Sequence, residues 1–218
     1  MDASLEATSI SSAPSHDDLI SQALQASRSS LRWVEARLGQ LEQAIRNVNR
    51  LGGNARTAAL GALRTSYARD IAVASDKLRT SQDPLSSEFQ GAIQSALQLI
   101  RRHLHQEALI VDEGNLGRCD PKLWGGAMPF AVTTPRDPEP RVSICAAWFP
   151  MSGELHRDVI THEFFHLIGL IDRSMIANTS DALGDANTMA QLVAYIHDRT
   201  RWEDSNRLAK SPVIYPAP

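Results

Sequence analysis

The chain has 218 residues, of which 43% are hydrophobic, enough for a globular unit with a core of its own. Its 22 basic and 25 acidic residues give a net charge of −3. The composition therefore lacks the excess of positive charge that is typical of proteins that bind nucleic acid or an anionic membrane. No apolar run approaches the roughly 20 residues that a membrane-spanning helix needs. We therefore expect neither a nucleic-acid-binding protein nor a membrane-spanning one.

The first 16 residues are mostly small, polar and acidic. A secretory signal needs a basic start followed by an apolar stretch, and this segment has neither. We therefore expect a disordered leader over 1–16 and no classical signal peptide. The protein would then be cytoplasmic or exported by a dedicated secretion machine.

A helical pattern dominates the first half of the chain. Ser15 followed by Asp18 resembles a capping box, and Asp83-Pro84 fits the start of a later helix. Apolar residues recur at three- and four-residue steps, which predicts helices over 17–50, 55–80 and 84–105. We expect these helices to form a hairpin or bundle over 17–106, stabilised by core packing. A helix face that binds a protein partner is the alternative.

The second half is mixed in character. The proline- and glycine-rich stretch 112–141 predicts irregular structure with at most short strands, and 141–149 reads as a strand with Val142 and Ile144 on one face. Later segments are predicted as a helix over 155–170, a polar loop over 172–185 and a helix over 186–200. The predicted fold is therefore α+β and mostly helical. Its parts are a helical region over 17–106, a smaller mixed unit over 107–202 and an extended tail over 203–218.

The sequence His162-Glu163-Phe164-Phe165-His166 carries the chemistry. His162 and His166 lie one helical turn apart on one face, so their imidazoles can bind one metal ion. Glu163 lies beside them and can reach a water on that metal without being a ligand. Chance would produce this pattern only about 0.01 times in such a chain. We predict one zinc ion per chain with Glu163 as general base; the alternative is a pair of hydrogen-bonded helix histidines.

A zinc enzyme normally has a third protein ligand and one open position. Gly169 can end the helix in a left-handed conformation and turn the chain back, which would bring Asp172 towards the metal. Asp172 is therefore the predicted third ligand. Asp181 and Asp185 are the competing candidates, although Asp185 fits better as the N-cap of the last helix.

Residues 119–200 resemble the aspzincin metallopeptidases, the group of deuterolysin and peptidyl-Lys endopeptidase. The resemblance rests on three segments, the cysteine-containing strand 142–149, the zinc helix with its Gly-Leu-Ile-Asp continuation over 161–172, and the helix 185–195. It implies a zincin-like domain over 107–202 with a short sheet and an active-site helix. It also implies His162, His166 and Asp172 as ligands and Glu163 as base.

The chain departs from the aspzincin pattern in three places, one of which is a shorter gap from His166 to Gly169. Leu170 replaces the family's threonine, and Met175 stands where the family has a tyrosine. Tyr195, from the last helix, is then the candidate for stabilising the transition state. The short spacing from His166 also matches metzincins of the snapalysin type, in which Met175 or Met189 would form the methionine turn.

The predicted function is that of a zinc-dependent endopeptidase acting on protein or peptide substrates. Strand 141–149, if it lies at the edge of the sheet, would pair with an extended substrate. By analogy the protein is an exported toxin or effector. The alternative from another class is a non-catalytic helical interaction module with a degenerate zinc site.

Other reactive side chains are few. Cys119 and Cys145 are either two reduced thiols or one disulfide, and the sequence leaves both open. His156 is predicted to be exposed on another face of its helix. The other histidines are predicted to be structural or surface groups: His103, His105 and His197.

Overall fold

The computed structural model describes residues 13–133, 140–198 and 201. Seven α-helices and a three-stranded sheet lie in this part of the chain, which confirms the predicted α+β, mostly helical fold. Residues 1–12 of the predicted leader and the predicted tail over 203–218 lie outside the described residues. The elements in order are α1 (His16–Arg50), α2 (Gly53–Ser66), α3 (Ala68–Lys77), α4 (Ser87–His105), β1 (Leu109–Gly114), β2 (Ala131–Thr133), β3 (Arg141–Cys145), α5 (Gly153–Leu167), α6 (Thr179–Leu183) and α7 (Ala186–His197).

The start of α1 has the predicted capping box. The Ser15 hydroxyl accepts from the Asp18 amide at 3.2 Å, and the Asp18 carboxylate accepts from the Ser15 amide at 3.1 Å. The buried stripe of α1 also follows the predicted helical spacing. Its members are Ala23, Ser27, Ser30, Leu31, Val34, Leu38, Leu41, Ile45 and Val48.

The predicted helix over 55–80 is wrong as a single element, because the chain breaks at Tyr67 between α2 and α3. Arg37 of α1 explains the break. Its guanidinium donates to the Ser66 carbonyl at 2.9 Å, lies 4.4 Å from the centre of the Tyr67 ring and pairs with buried Asp70 at 2.7 Å. The change of direction lets α3 pack against α7.

The third predicted helix starts later than Asp83-Pro84. Ser86 is the N-cap of α4, and its hydroxyl accepts from the Phe89 amide at 3.1 Å. Asp83 instead accepts from the Leu85 amide at 3.2 Å, two residues on, and closes a turn before the helix.

A continuous hydrophobic core joins the helical region to the second half of the chain. One buried cluster contains residues of α1, α2, α3, α4, α5 and α7. A second cluster packs Ala23 of α1 against β3 and against Ile160 and Phe164 of α5. The Ser27 and Thr161 hydroxyls form a buried hydrogen bond of 2.7 Å between α1 and α5. The helix α5 is therefore held directly by α1.

The sheet has the order β1-β3-β2, with β1 parallel and β2 antiparallel to β3. Strand 141–149 was expected to pair with a substrate only if it lay at an edge of the sheet. It does not, because β3 has a neighbouring strand on each side. The strand also ends at Cys145, and Ala146–Trp148 form a 3-10 turn. Val142 and Ile144 are fully buried, as is Ser143 between them, because the central strand is covered on both faces.

Cys119 and Cys145 form a disulfide, so the structure selects one of the two states that the sequence left open. The bond ties the segment between β1 and β2 to the end of β3. It closes a loop over a sequence separation of 26 residues. Closing a loop of this length restricts the unfolded chain and stabilises the fold by about 3–4 kcal/mol in the chain-entropy model.

The hydropathy of the helices bears on the membrane prediction. Within the described residues, no helix has both the length and the apolar character needed to cross a membrane.

Candidate active site

The helix α5 carries the two predicted histidine ligands. It ends at Leu167, three residues before the predicted end, and Gly169 follows as the predicted terminating glycine. Gly169 has φ of 98°, the left-handed conformation that favours glycine, and the Leu170 amide donates to the Phe165 carbonyl at 3.1 Å. Beyond the turn, Ile171 forms an isolated bridge with Asp185 at the start of α7. This bridge fixes the path of the chain just before Asp172.

The turn brings Asp172 beside both imidazoles. The Nε2 atoms of His162 and His166 lie 3.0 Å apart. The Asp172 carboxylate oxygens lie 3.5 Å from His162 Nε2 and 3.4 Å from His166 Nε2. These three residues are the ones predicted as ligands, and together they could hold a metal ion.

A hydrogen bond selects the nitrogen that His166 presents to this cluster. His166 Nδ1 lies 2.9 Å from the Leu170 carbonyl, which can only accept, so Nδ1 carries the proton. In the neutral imidazole the lone pair is then on Nε2, which faces His162 and Asp172. Such outer hydrogen bonds orient ligating histidines in metal sites.

The competing carboxylates are engaged elsewhere. Asp185 is the N-cap of α7, as predicted, and accepts from the Thr188 amide at 2.6 Å. Asp181 pairs with Arg173 at 3.2 Å. Neither of the two methionines of the metzincin alternative lies in a tight turn under the histidines: Met175 is 77% exposed and Met189 is buried within α7.

Glu163 is held by a residue that the sequence analysis missed. The hydroxyl of Thr133, at the end of β2, donates to Glu163 Oε2 at 2.6 Å. Only 7% of Glu163 is exposed, so this hydroxyl fixes the orientation of a nearly buried carboxylate. No local signal in the sequence marks Thr133, because the contact joins residues 30 positions apart.

A cavity of about 390 Å³ lies beside the cluster. His162, Glu163 and Tyr195 all contribute to its wall, so the predicted stabiliser Tyr195 shares the cavity with the predicted base. The Tyr195 ring also lies 4.8 Å from the ammonium group of Lys77.

The prediction that His156 is exposed is wrong. His156 is 4% exposed, its Nε2 donates to the Trp148 carbonyl at 2.9 Å, and its ring stacks on Trp148 with the ring centres 3.9 Å apart. The side chain therefore anchors α5 to the turn that follows β3.

His103 of α4 packs against the helix α5. Its Nε2 donates to the Thr161 carbonyl at 3.1 Å, and its ring packs on Phe164 and Phe165. Burial lowers the pKa of His103 from 6.5 to about 4. The imidazole is therefore neutral in the folded protein at pH 7.

We expect the stability of the metal-free protein to fall as His103 becomes charged. The unfolded chain takes up a proton near pH 6.5 and the folded chain only near pH 4, so stability is lost as the pH falls through this window. The shift corresponds to a loss on the order of 3 kcal/mol. Urea unfolding of His103→Gln between pH 7 and pH 4 should show a shallower pH dependence than wild type. The exposed neighbour on the same helix, His105→Gln, should keep the wild-type dependence, and equal slopes for wild type and His103→Gln would contradict the assignment.

Comparisons of the chain with protein-family models, with curated proteins and with solved structures found no match. The aspzincin resemblance therefore stays a prediction from the motifs. The function has to be argued from the site.

Proposed function

We propose that this protein is a zinc-dependent endopeptidase. The observation that carries the proposal is the convergence of His162, His166 and Asp172, with Glu163 beside them at the rim of a cavity. Two imidazoles, one carboxylate and a neighbouring glutamate are the groups that a hydrolytic zinc site uses.

The donor set fits zinc. Ligands at about 2.0–2.1 Å from a tetrahedral zinc ion lie roughly 3.3 Å apart. The three separations among His162, His166 and Asp172 are 3.0, 3.4 and 3.5 Å. A zinc ion held by these three residues would keep one position for water or substrate.

Bound zinc would supply a Lewis acid for the scissile carbonyl and acidify a water molecule. Glu163 takes the proton of the attacking water and delivers it to the leaving amine. Thr133 holds one oxygen of Glu163, which leaves the other for the water. Tyr195, in the wall of the same cavity, is the proposed donor to the carbonyl oxygen in the transition state.

An extended peptide is the substrate form that the sheet favours. Within the described residues, β2 pairs only with β3, so its other edge has no strand partner there. In this proposal the extended substrate pairs with the edge of β2 and not, as the sequence had suggested, with strand 141–149. A peptide paired along β2 would pass Thr133 and Glu163, the two residues that join the strand to α5.

The disulfide supports the exported alternative of the two predicted localisations. Structural disulfides persist in oxidising surroundings and are rare in the cytoplasm. The Cys119–Cys145 bond is buried at both ends and closes an irregular segment, as a structural disulfide does.

Metal analysis and chelation test the proposal. Purified protein should contain about one zinc per chain and cleave an unfolded protein substrate, and a chelator should abolish cleavage until zinc is returned. His166→Ala should lose both zinc and cleavage, whereas His105→Ala should keep both. Wild type that binds no metal, or cleavage that chelation leaves unchanged, would refute a zinc enzyme.

A further inference from the structure

The cavity beside Glu163 has the size of a ligand pocket. Its volume of about 390 Å³ lies within the roughly 300–1,000 Å³ of small-molecule sites. Phe130 and Ala131 supply one wall, from the start of β2. Leu155 and Val159 of α5 supply another. On the α7 side the wall includes the small residues Ala190 and Ala194, which leave room between the helices.

Charged groups in the wall already have partners. Asp158 pairs with Arg157 at 2.9 Å and also bonds to Arg201. Glu163 accepts from Thr133 at 2.6 Å. A charged side chain that entered the cavity would lose its hydration. Asp158 is already paired with two arginines, so of the two wall carboxylates only Glu163, which is hydrogen-bonded to a neutral hydroxyl, could offset a positive charge.

We propose that this cavity binds an apolar side chain, such as that of leucine or phenylalanine, of the substrate residue next to the scissile bond. This inference rests on the proposed peptidase function. The cavity is continuous with His162 and Glu163, so its occupant lies next to the reacting groups.

The strand β2 links the cavity to the path of the substrate. Ala131 lines the cavity and Thr133 contacts Glu163. Residues two apart on a strand share a face, so this face of β2 runs from the cavity to the base. A peptide along the free edge of β2 therefore presents a side chain to the cavity when its scissile bond reaches Glu163.

Cleavage-site profiling of wild type on unfolded proteins tests this specificity. Bonds next to leucine or phenylalanine should be cut at least about tenfold faster than bonds next to lysine, aspartate or glycine. Ala131→Phe fills the cavity and should shift the preference to small residues, whereas Ala62→Phe, on the exposed face of α2, should keep the wild-type profile. Leu155→Ala removes part of the apolar wall at a side chain 42% exposed and should weaken the preference without disturbing the fold.

A binding measurement separates this inference from the proposed catalysis. Zinc-free Glu163→Gln protein, labelled for NMR, is titrated with acetyl-leucine amide, acetyl-lysine amide and acetyl-glycine amide. The leucine probe should shift the resonances of Ala131, Val159 and Ala194, and Ala131→Phe should abolish these shifts.

The cleavage experiment and the binding experiment can fail independently of each other. The apolar pocket would be refuted if the lysine probe shifted these resonances as much as the leucine probe does. It would also be refuted if the leucine probe still shifted them in Ala131→Phe. Both conclusions hold even if the wild-type protein is an active peptidase. Selective leucine binding by the zinc-free Glu163→Gln protein, together with a wild type that cleaves nothing, would refute the peptidase but not the apolar pocket.

Discussion

Replacing Glu163 by glutamine is expected to leave about one zinc ion per chain and to lower peptide hydrolysis by about a hundred- to ten-thousandfold. Glutamine keeps the shape of the side chain and can still accept from the Thr133 hydroxyl, 2.6 Å away in the native protein. It cannot take a proton from water, however, so the loss should appear in kcat. Zinc content by elemental analysis and steady-state kinetics on an unfolded protein would measure the two effects separately.

A second glutamate on α5 provides the matched control. Glu154 is exposed in the first turn of the helix, so Glu154→Gln changes the net charge equally without touching the cluster. It should retain wild-type hydrolysis. Normal cleavage by Glu163→Gln would remove Glu163 from the mechanism, and zinc binding without any wild-type hydrolysis would favour the non-catalytic interaction module.

Removing the Asp172 carboxylate is expected to weaken zinc binding by more than the roughly 10- to 100-fold that loss of an outer-shell partner costs. The Asp172 oxygens lie 3.4 and 3.5 Å from the two imidazole nitrogens, so Asp172→Ala leaves a site with two protein ligands. The side chain is 62% exposed, so the fold should be unaffected. Competition with a chelating dye would give the affinity, and thermal unfolding of the metal-free protein would check the fold.

Asp181→Ala is the control for this prediction. Asp181 lies in the segment that follows Asp172 and pairs with Arg173 rather than with the histidines. Its loss should leave zinc affinity within a few-fold of wild type. A larger effect at Asp181 than at Asp172 would mean that the third ligand has been misassigned.

The sequence predicted that His162, His166 and Asp172 lie together because the signals for this cluster are local. The helical spacing places His162 and His166 on one face, and the positive φ of Gly169 fits a residue without a Cβ. Asp172 follows three residues later, within reach of the same turn. Each of these inferences needed only residues within a dozen positions of one another.

The parts that the sequence could not supply depend on contacts between distant segments. Thr133 meets Glu163 only because β2 pairs with β3 and lies against α5. His156 is buried by the turn around Trp148, which the pattern on its own helix does not reveal. Burial of both faces of β3 likewise follows from its central place in the sheet.

In the helical half of the chain, too, local features were predicted and a contact between distant residues was missed. The apolar spacing predicted the buried stripe of α1, and Ser15 followed by Asp18 predicted its capping box. The break at Tyr67 was missed because Arg37, 30 residues earlier, provides the partner for the Ser66 carbonyl. The periodic pattern of 55–80 continues through the break and gives no sign of it.

The disulfide between Cys119 and Cys145 and the proposed zinc site would both respond to thiol reagents. A small dithiol would reduce this bond and release the segment that leads into β2, and its thiolates would also compete for zinc with His162, His166 and Asp172. Inactivation by such a reagent would therefore not distinguish a loosened strand from a stripped metal. A phosphine reductant, with zinc present in excess, would address the disulfide alone.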